Sequence, residues 1–304
     1  MKTDELHLRD PFVFVDRRSG RCLMTGTGPG RNAFPLFASR DLDDWERLPD
    51  AFAPPPGFWA GRDFWAPEIH EWRGGYYLFG SLKAEGRFRA TQIFAADKPE
   101  GPYRPLTDGP ITPPGWECLD GTLYVEDGAP WIVFCREWIQ THDGGMWAMP
   151  LRSDLSAAAG RPVWLFDASE APWVRPLDVS KSEEAWIRER AMPSFVTDGP
   201  WLHRLASGAL LMLWSSFGEQ GYALGVARSA SGSVTGPWTQ DPQPLFARDG
   251  GHGMLFAAPD GTLRLSLHQP NRSPLERPQF IPVVECHDAL KTADERGRRK
   301  RSRP

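Results

Sequence analysis

Three aspartates stand where acid–base chemistry could occur. Asp10, Asp120 and Asp198 each directly precede a Pro or a Gly at the start of an apolar segment. Hydrolysis of a glycosidic bond requires such groups: one carboxylate that activates water and one carboxylic acid that protonates the leaving oxygen. A third carboxylate nearby can raise the pKa of the acid and orient it. The alternative is a local role, because Asp before Gly or Pro is a common turn residue.

Bringing these residues together requires elements that repeat along the chain. A hairpin-like segment starts five times, at Arg9, Trp65, Leu119, Thr197 and Gly251. Each copy has a few apolar residues, a polar turn with glycine and a second apolar run, which predicts strand, turn and strand. The turns RSG, RGG, EDG, ASG and PDG supply the positive φ angles that tight hairpins require.

The spacing of the copies predicts an all-β, five-bladed β-propeller with four-stranded antiparallel blades. Equivalent anchors at Pro11, Pro67, Gly121, Pro200 and Gly253 are 56, 54, 79 and 53 positions apart. Polar, aromatic-containing stretches about 35 residues after most anchors fit the outermost strand of a blade. A period near 55 residues with four strands per unit is typical of propellers. A β-sandwich with a small second domain would explain the hairpins but not the spacing. We therefore predict a single domain over residues 1–290.

One long interval interrupts the period between the third and fourth copies. We assign residues 140–192 to an insertion that is rich in loops, with a short helix or a loop at SEEAWIRERAM. We expect this insertion near the active-site end of the propeller. Its Glu170, Trp173 and Arg175 are candidates for contact with substrate.

The inner strands of a propeller start around one end of the central channel, so equivalent positions in the repeats become neighbours in space. These positions are expected to hold Asp10, Asp120, Asp198 and His252, with Ala66 in the second copy. Three carboxylates at equivalent positions favour a catalytic site over three separate turns.

The segments RDPF, FWAPEIHEWRGGYYLF, CLDGTLYVEDG, TDGPWLHRL and GGHGMLF resemble motifs of family 43 of the glycoside hydrolases. The resemblance covers about residues 9–285. It implies a five-bladed propeller that cleaves with inversion of configuration and acts on arabinosidase- or xylosidase-type substrates. It also implies Asp10 as the general base and Asp120 as the residue that tunes the acid. From it we expect an exo-acting glycosidase on pentose-containing oligosaccharides.

The third motif departs from the family pattern. The family usually has Glu-Gly-Pro, whereas this chain has TDGP, which assigns the acid to Asp198. Its carboxyl group lies one methylene, about 1.5 Å, further back than that of a glutamate. A second candidate for the acid is Glu117 in GWECLDG, because related invertase-like propellers place their acid in a similar Glu-Cys pair.

Further candidates lie at or just past the ends of inner strands. Trp65, Glu68 and Trp138 are expected to line the sugar pocket, with packing or turn contacts as the alternative. Glu137 also follows a strand, and the sequence alone does not show whether it faces the pocket. In the resembling family, a His near the axis supports a buried cation, often calcium, or a water cluster. His252 is the candidate for that metal ligand and for substrate contact, with a hydrogen-bonded core histidine as the alternative. No cofactor is expected to be required.

Composition bears on partners. The net charge is −4, and the segment from Asp294 to Pro304 contributes +4 (six Lys/Arg, two Asp/Glu), so the body carries −8. An acidic body argues against nucleic acid as the main partner. Residues 291–304 are expected to form a basic, disordered tail. The partner expected is an oligosaccharide substrate.

The sequence also bears on location. The first eight residues lack an apolar core, and no stretch approaches the ~18 apolar residues of a membrane span. The four cysteines show no CxxC spacing, and without an export signal they are expected to be reduced thiols. We therefore expect no membrane association and a cytoplasmic enzyme that acts on imported oligosaccharides. The rival function is a propeller that binds carbohydrate or protein without hydrolysis, which the shortened TDGP motif favours.

Overall fold

The computed structural model describes residues 1–181, 185–189 and 192–292. Among these residues, no helix has the length and apolar composition to cross a membrane. The described strands, in chain order, are β1 (Arg9–Asp16), β2 (Arg21–Thr27), β3 (Phe34–Ser39), β4 (Glu46–Phe52), β5 (Arg62–Trp72), β6 (Gly75–Lys83), β7 (Ala90–Ala96), β8 (Arg104–Pro105), β9 (Cys118–Glu126), β10 (Ala129–Arg136), β11 (Gly145–Pro150), β12 (Val163–Asp167), β13 (Asp198–Arg204), β14 (Leu210–Gly218), β15 (Gly221–Ser229), β16 (Trp238–Gln240), β17 (Gly251–Ala257), β18 (Leu263–Gln269), β19 (Arg277–Cys286) and β20 (Ala289–Thr292). The described helices are α1 (Trp138–Thr141), α2 (Ala185–Arg188) and the 3₁₀ turns Thr3–Glu5, Ala168–Glu170 and Val179–Lys181.

These strands form a five-bladed β-propeller. Each blade is a four-stranded antiparallel sheet of four consecutive strands, beginning at β1, β5, β9, β13 and β17. The five predicted hairpins are the two inner strands of the five blades, which confirms the fold prediction. The last strand ends at Thr292, two residues past the predicted domain boundary. Residues 293–304, most of the predicted tail, lie outside the described residues.

The predicted insertion differs from the structure in extent. Residues 140–192 include β11 and β12, which complete the third blade. The chain beyond the regular blade therefore begins at Ala168 and runs to β13. The 79-residue spacing arises from this shorter segment together with the wide connections inside the third blade. Within SEEAWIRERAM, the described part forms the single-turn helix α2.

Aromatic rings fill the space between the first two blades. Phe34 and Phe52 of the first blade pack against Phe64 and Phe94 of the second, with ring centroids 4.4–6.4 Å apart. Phe34 is completely buried. A Cβ atom on Gly80 would lie 2.3 Å from the Phe34 ring, so glycine is required where β6 passes it. Close packing of this kind makes the volume of Phe34 difficult to replace.

A β-bulge interrupts every inner strand at the same place, where the pairing register with the second strand shifts. One residue at each bulge has a left-handed φ between 43° and 56°. These residues are Asp10, Ala66, Asp120, Gly199 and His252. The equivalent residue of the fourth blade is therefore Gly199. The sequence comparison placed Asp198 there, one residue too early, because hydrophobic patterning does not register the extra residue of a bulge.

Each bulge is bound to the preceding blade by one hydrogen bond. In four blades the backbone N–H of the bulge residue donates to a side chain near the end of the second strand of the preceding blade. In the fourth blade it donates instead to the carboxylate of the bulge residue of the third blade, Asp120. The pairs are Ala66 to Thr27 Oγ1 (2.8 Å), Asp120 to Ser81 Oγ (2.7 Å), His252 to Ser215 Oγ (2.8 Å), Asp10 to His268 Nδ1 (3.2 Å) and Gly199 to Asp120 Oδ2 (3.0 Å). We call this set the bulge ring.

The first and fifth blades meet without sharing a strand. Besides the Asp10–His268 bond, Arg9 Nη1 lies 2.9 Å from Glu276 Oε1, and Ser266 Oγ donates to Pro11 O at 2.7 Å. Glu276 is buried, whereas the Arg9 side chain is 35% exposed, so water reaches this ion pair only from the Arg9 side. The RDPF segment therefore helps to close the propeller through the Arg9 side chain and through the backbone of Asp10 and Pro11.

We predict that Phe34→Ala lowers the free energy of unfolding by about 3–5 kcal/mol, because a buried ring is lost and a cavity remains. Chemical denaturation measures this change. Phe88→Ala is the matched control, since Phe88 is 49% exposed, and it should change stability by less than about 0.5 kcal/mol. Equal losses in the two variants would contradict the packing described for Phe34.

Candidate active site

A cavity of about 370 Å³ opens at the end of the axis where the inner strands begin. It brings together most of the predicted site residues: Asp10, Trp65, Asp120, Trp138, Asp198 and His252. Its wall also contains Arg9, Thr27, Leu119, Glu137, Leu177, Val196 and Phe217. Carboxyl groups from three blades thus share one pocket, as the repeat argument predicted.

Asp10 is held as a carboxylate. Its Oδ2 accepts a hydrogen bond from Thr27 Oγ1 at 2.6 Å, and its Oδ1 lies 3.3 Å from His252 Nδ1. Burial opposes ionisation, but His252, His268 and Arg9 outweigh it and hold the pKa of Asp10 well below its usual range. A buried carboxylate that stays ionised at neutral pH can accept a proton from water.

His252 lies among the carboxyl groups and carries their counter-charge. Its Nδ1 lies 3.7 Å from Asp120 Oδ2, in addition to its contact with Asp10. Burial opposes a positive charge on the ring, yet Asp10, Asp120 and Asp198 together raise the pKa of His252. An imidazolium at this place offsets part of the repulsion among the three carboxylates.

Asp120 and Asp198 differ from Asp10 in protonation. Burial, assisted by the charges of Asp198 and Asp10, raises the pKa of Asp120 to about 8. Burial also raises the pKa of Asp198, although His252 and the hydrogen bond that Tyr222 Oη donates to Asp198 Oδ2 (2.8 Å) oppose the rise. The two carboxyl groups interact, so they titrate as a pair that retains a proton above the usual range of an aspartate.

The TDGP motif has a steric reason for its glycine. A Cβ atom on Gly199 would lie 2.7 Å from the His252 ring, in a residue whose φ is already left-handed. Gly199 therefore leaves the space in which the imidazole lies. Asp198, directly before it, keeps its side chain in the pocket without occupying the bulge position.

Glu137 is the site residue whose orientation the sequence could not predict. It follows β10, is 5% exposed and lines the pocket. Arg89 Nη1 donates to Glu137 Oε2 at 2.5 Å and Nη2 donates to Asp63 Oδ2 at 2.8 Å. Burial nevertheless raises the pKa of Glu137 to about 7, with Glu117 and Asp198 adding to the rise and Arg89 opposing it. The pocket wall therefore holds another group that binds a proton near neutrality.

Glu117, the alternative acid, lies behind this wall. Its carboxylate accepts hydrogen bonds from Lys83 Nζ and from the backbone N–H of Arg89, and it is not among the residues that line the pocket. An acid must reach the leaving oxygen, and Glu117 would have to displace Glu137 or Arg89 to do so.

The aromatic candidates and Glu68 have different positions. Trp65 is 37% exposed, and the Arg89 guanidinium lies 4.1 Å from its ring centroid. Trp138, at the start of α1, also lines the pocket. Glu68 is buried, pairs with His70 Nε2 at 2.9 Å and lines a small cavity along the axis instead of the pocket. The expectation that Glu68 contacts substrate therefore disagrees with its position, because its side chain points along the channel.

The axial cavity also tests the expectation of calcium at His252. It measures about 10 Å³, which is room for about one water molecule. Calcium takes six to eight oxygen ligands, so an ion held by one histidine would need several waters there. Among the described residues, no group of three or more His, Cys, Asp or Glu is placed to hold a metal. A calcium ion at His252 would take most of its ligands from water, for which the larger pocket that His252 also lines has room, and the calcium site stays a prediction.

Several functional residues escaped the sequence argument. Thr27, Tyr222 and His268 lie on second and third strands and position the carboxyl groups of Asp10 and Asp198. The repeat pattern directed attention only to the starts of the inner strands. Two of these residues could have been found from the repeat, because Thr27 and His268 occupy equivalent positions at the ends of second strands. Tyr222 had no such signal.

Comparison with known proteins agrees with this geometry. The family model for glycosyl hydrolases family 43 matches residues 5–288. The extracellular exo-α-(1→5)-L-arabinofuranosidase ArbA of Cellvibrio japonicus is 26% identical over 269 residues, covering 83% of this chain and 72% of that protein. The crystal structure of an endo-arabinase from Bacteroides thetaiotaomicron superimposes with a TM-score of 0.87 at 41% identity, covering 94% of this chain and 97% of that one. A thermostable family-43 glycoside hydrolase superimposes with a TM-score of 0.78 at 20% identity, over 94% of this chain and 93% of that one.

Glu137 gives a prediction about stability and pH. Its pKa is about 7 in the folded protein and 4.5 ordinarily, so between these values the folded state binds the extra proton and stability falls as pH rises. Glu137→Gln removes this loss. The melting temperature of the variant minus that of the wild type should therefore be higher at pH 8 than at pH 5, by a few degrees.

The control for this experiment is Glu46→Gln, whose side chain is 69% exposed. Its melting-temperature difference from the wild type should be similar at the two pH values. A Glu137→Gln difference that is the same at pH 5 and pH 8 would show that Glu137 is ionised throughout.

Proposed function

We propose that this chain, which belongs to glycosyl hydrolase family 43, is an inverting glycosidase that releases arabinose from arabinose-containing oligosaccharides. The observation that carries the proposal is the contrast within one pocket between Asp10, which is held ionised, and Asp198, whose pKa is raised. Inverting hydrolysis needs this contrast, because one group must accept a proton while the other donates one. Family membership makes the chain a glycosidase, which sets aside the alternative of a non-hydrolytic propeller.

The proposed sugar follows from the relatives. ArbA of Cellvibrio japonicus is named for α-(1→5)-linked L-arabinofuranose, and the structure with 41% identity is named an endo-arabinase. The sequence predicted a substrate that contains arabinose or xylose, and of these two sugars we propose arabinose. A panel of aryl α-L-arabinofuranosides, β-xylosides and galactosides tests this choice.

In the proposed mechanism, Asp10 removes a proton from a water molecule as the water oxygen attacks the anomeric carbon. The glycosidic bond breaks, and Asp198 gives its proton to the departing oxygen. Asp120 interacts electrostatically with Asp198, so the pair shares a proton that Asp198 delivers and Asp120 helps to retain before the reaction. His252 stabilises the ionised form of Asp10 and, when Asp198 has lost its proton, the negative charge that remains. After product release, Asp10 loses a proton and Asp198 regains one.

We propose exo action, in which the terminal sugar enters the axial pocket. Leu177, Phe217 and Trp138 stand around the pocket and restrict it on several sides, which suits a chain end. Endo action is the second candidate, favoured by the name of the structure with 41% identity. The products released early from linear arabinan distinguish the two, because exo action yields one small sugar and endo action yields a ladder of oligosaccharides.

Cytoplasmic location is a further proposal, which the four free cysteines support, because thiols stay reduced in a cytosol. The two curated relatives are named extracellular. Fractionation of the source cells, with activity measured on an aryl arabinofuranoside, tests the location.

We predict that Asp10→Asn reduces kcat about 10²–10⁴-fold on every substrate, because no other carboxylate in the pocket is held ionised to activate water. Initial rates with aryl arabinofuranosides measure the loss. Asp127→Asn is the matched control, since Asp127 lies in the exposed β9–β10 turn, and it should retain wild-type activity. NMR of the first-formed product should show inverted anomeric configuration, and a retained configuration would overturn the role of Asp10 as a base.

We predict that Asp198→Asn slows substrates with poor leaving groups far more than activated aryl glycosides, because a good leaving group needs little protonation. The measurement is kcat/KM across a series of leaving groups of rising pKa. Equal losses across the series would show that the acid lies elsewhere. Glu137, which lines the pocket, would then be the residue to test in the same way.

A further inference from the structure

A second cavity of about 330 Å³ lies beside the catalytic pocket. Its size is within the ~300–1,000 Å³ typical of sites for small molecules. The segment after the third blade supplies Pro172, Trp173 and Arg175, and the β14–β15 turn supplies Glu219 and Gln220. Gln243, from the loop after β16, closes the third side.

The two cavities share a wall. Phe217 lines the catalytic pocket and Gly218, the next residue, lines the second cavity. On the facing segment, Leu177 lines the first and Arg175 the second. The wall is held together by a hydrogen bond of 2.8 Å from the backbone N–H of Arg175 to Phe217 O. A chain molecule bound in the catalytic pocket would need to cross only this wall to enter the second cavity.

The lining combines an apolar part, made of Trp173, three prolines and two alanines, with a polar part that is almost neutral, made of Arg175, Glu219, Gln220 and Gln243. Arg175 Nη1 donates to Pro172 O and Val174 O, at 3.0 and 2.9 Å, and its Nη2 donates to Glu219 Oε1 at 2.8 Å. This ion pair leaves little net charge with which to select a charged ligand. The floor is Trp173, which is 5% exposed and packs on Trp214 with ring centroids 5.1 Å apart.

Two carboxamides are available to a ligand. Gln220 and Gln243 are exposed, and neither side chain makes a hydrogen bond to another residue in the described part of the chain. A carboxamide both donates and accepts hydrogen bonds, as does a sugar hydroxyl. Together with the exposed Arg175–Glu219 ion pair and the apolar surface of Trp173, these groups match a neutral ligand that is rich in hydroxyl groups.

We propose that the second cavity is a subsite that binds sugar residues of the substrate distant from the bond that is cleaved. This inference rests on the proposed function, because it takes the ligand to be an arabinose-containing chain with its reacting end in the catalytic pocket. The cavity then makes the enzyme prefer oligosaccharides long enough to cross the Arg175–Phe217 wall. It also explains why the segment after the third blade is longer than in the other blades.

The test compares a long substrate with a short one in the double variant Gln220→Ala/Gln243→Ala. The substrates are a linear α-(1→5)-arabinohexaose and 4-nitrophenyl α-L-arabinofuranoside, which is too short to cross the wall. The ratio of kcat/KM for the hexaose to that for the aryl glycoside should fall about tenfold, mainly through KM, since two hydrogen-bonding groups are lost. Gln279→Ala, a half-buried glutamine on β19 that lines neither cavity, should leave the ratio unchanged.

A binding measurement separates this inference from the proposed function. Calorimetry of the hexaose with Asp10→Asn, and with Asp10→Asn carrying the two alanines, should show about tenfold weaker binding in the latter. If the wild type hydrolyses the aryl glycoside but neither the ratio nor the affinity changes, the subsite is wrong and the proposed function stands. If the hexaose binds through the glutamines but no arabinoside is hydrolysed, the proposed function is wrong and the subsite stands.

Discussion

The catalytic pocket depends on one hydrogen bond repeated around the axis, from the N–H of a left-handed bulge residue to a side chain of the preceding blade. Near the start of each inner strand, the bulge interrupts the alternation of side chains between the two faces of the sheet. The hydrogen bond from the bulge residue then fixes one blade against the next. Asp10, Asp120 and His252 lie at such positions, so the contact that orders the blades also orients the reactive side chains. Fold and chemistry are therefore specified at the same residues.

The fourth blade departs from this rule in a way that creates the acid pair. Thr27, Ser81, Ser215 and His268 supply the acceptors elsewhere, but the equivalent position of the third blade is Cys135, a poor acceptor. The carboxylate of Asp120 takes its place and accepts from Gly199. Asp120 is thereby bound to the residue that follows Asp198, and burial, together with the charge of Asp198 on Asp120, keeps a proton on the pair.

The sequence predicted the blades and most of the pocket, because glycine turns and a period near 55 residues reflect local backbone chemistry. It placed Asp10, Asp120, Asp198, Trp65 and Trp138 around one pocket, as the structure does. It assigned the bulge position of the fourth blade to Asp198 instead of Gly199, and it placed Glu68 in the pocket instead of the axial cavity. Both errors arise because a bulge changes which face of the sheet the following side chains point to, without any change in the hydrophobic pattern. It could not orient Glu137, whose position is set by Arg89, a residue 48 positions away.

The closure of the propeller has a consequence for how the enzyme fails on heating. The first and fifth blades are joined by Arg9–Glu276, by Ser266, by the bond between Asp10 and His268 and by packing of Trp45 on Phe280, and here, as at every junction, the blades share no strand. Local opening at such a junction requires less free energy than global unfolding. The junction contains the general base proposed here, so the first excursion that separates these blades also dismantles the machinery for attack by water. Loss of activity therefore requires only the separation of these two blades, and the other four junctions can remain closed.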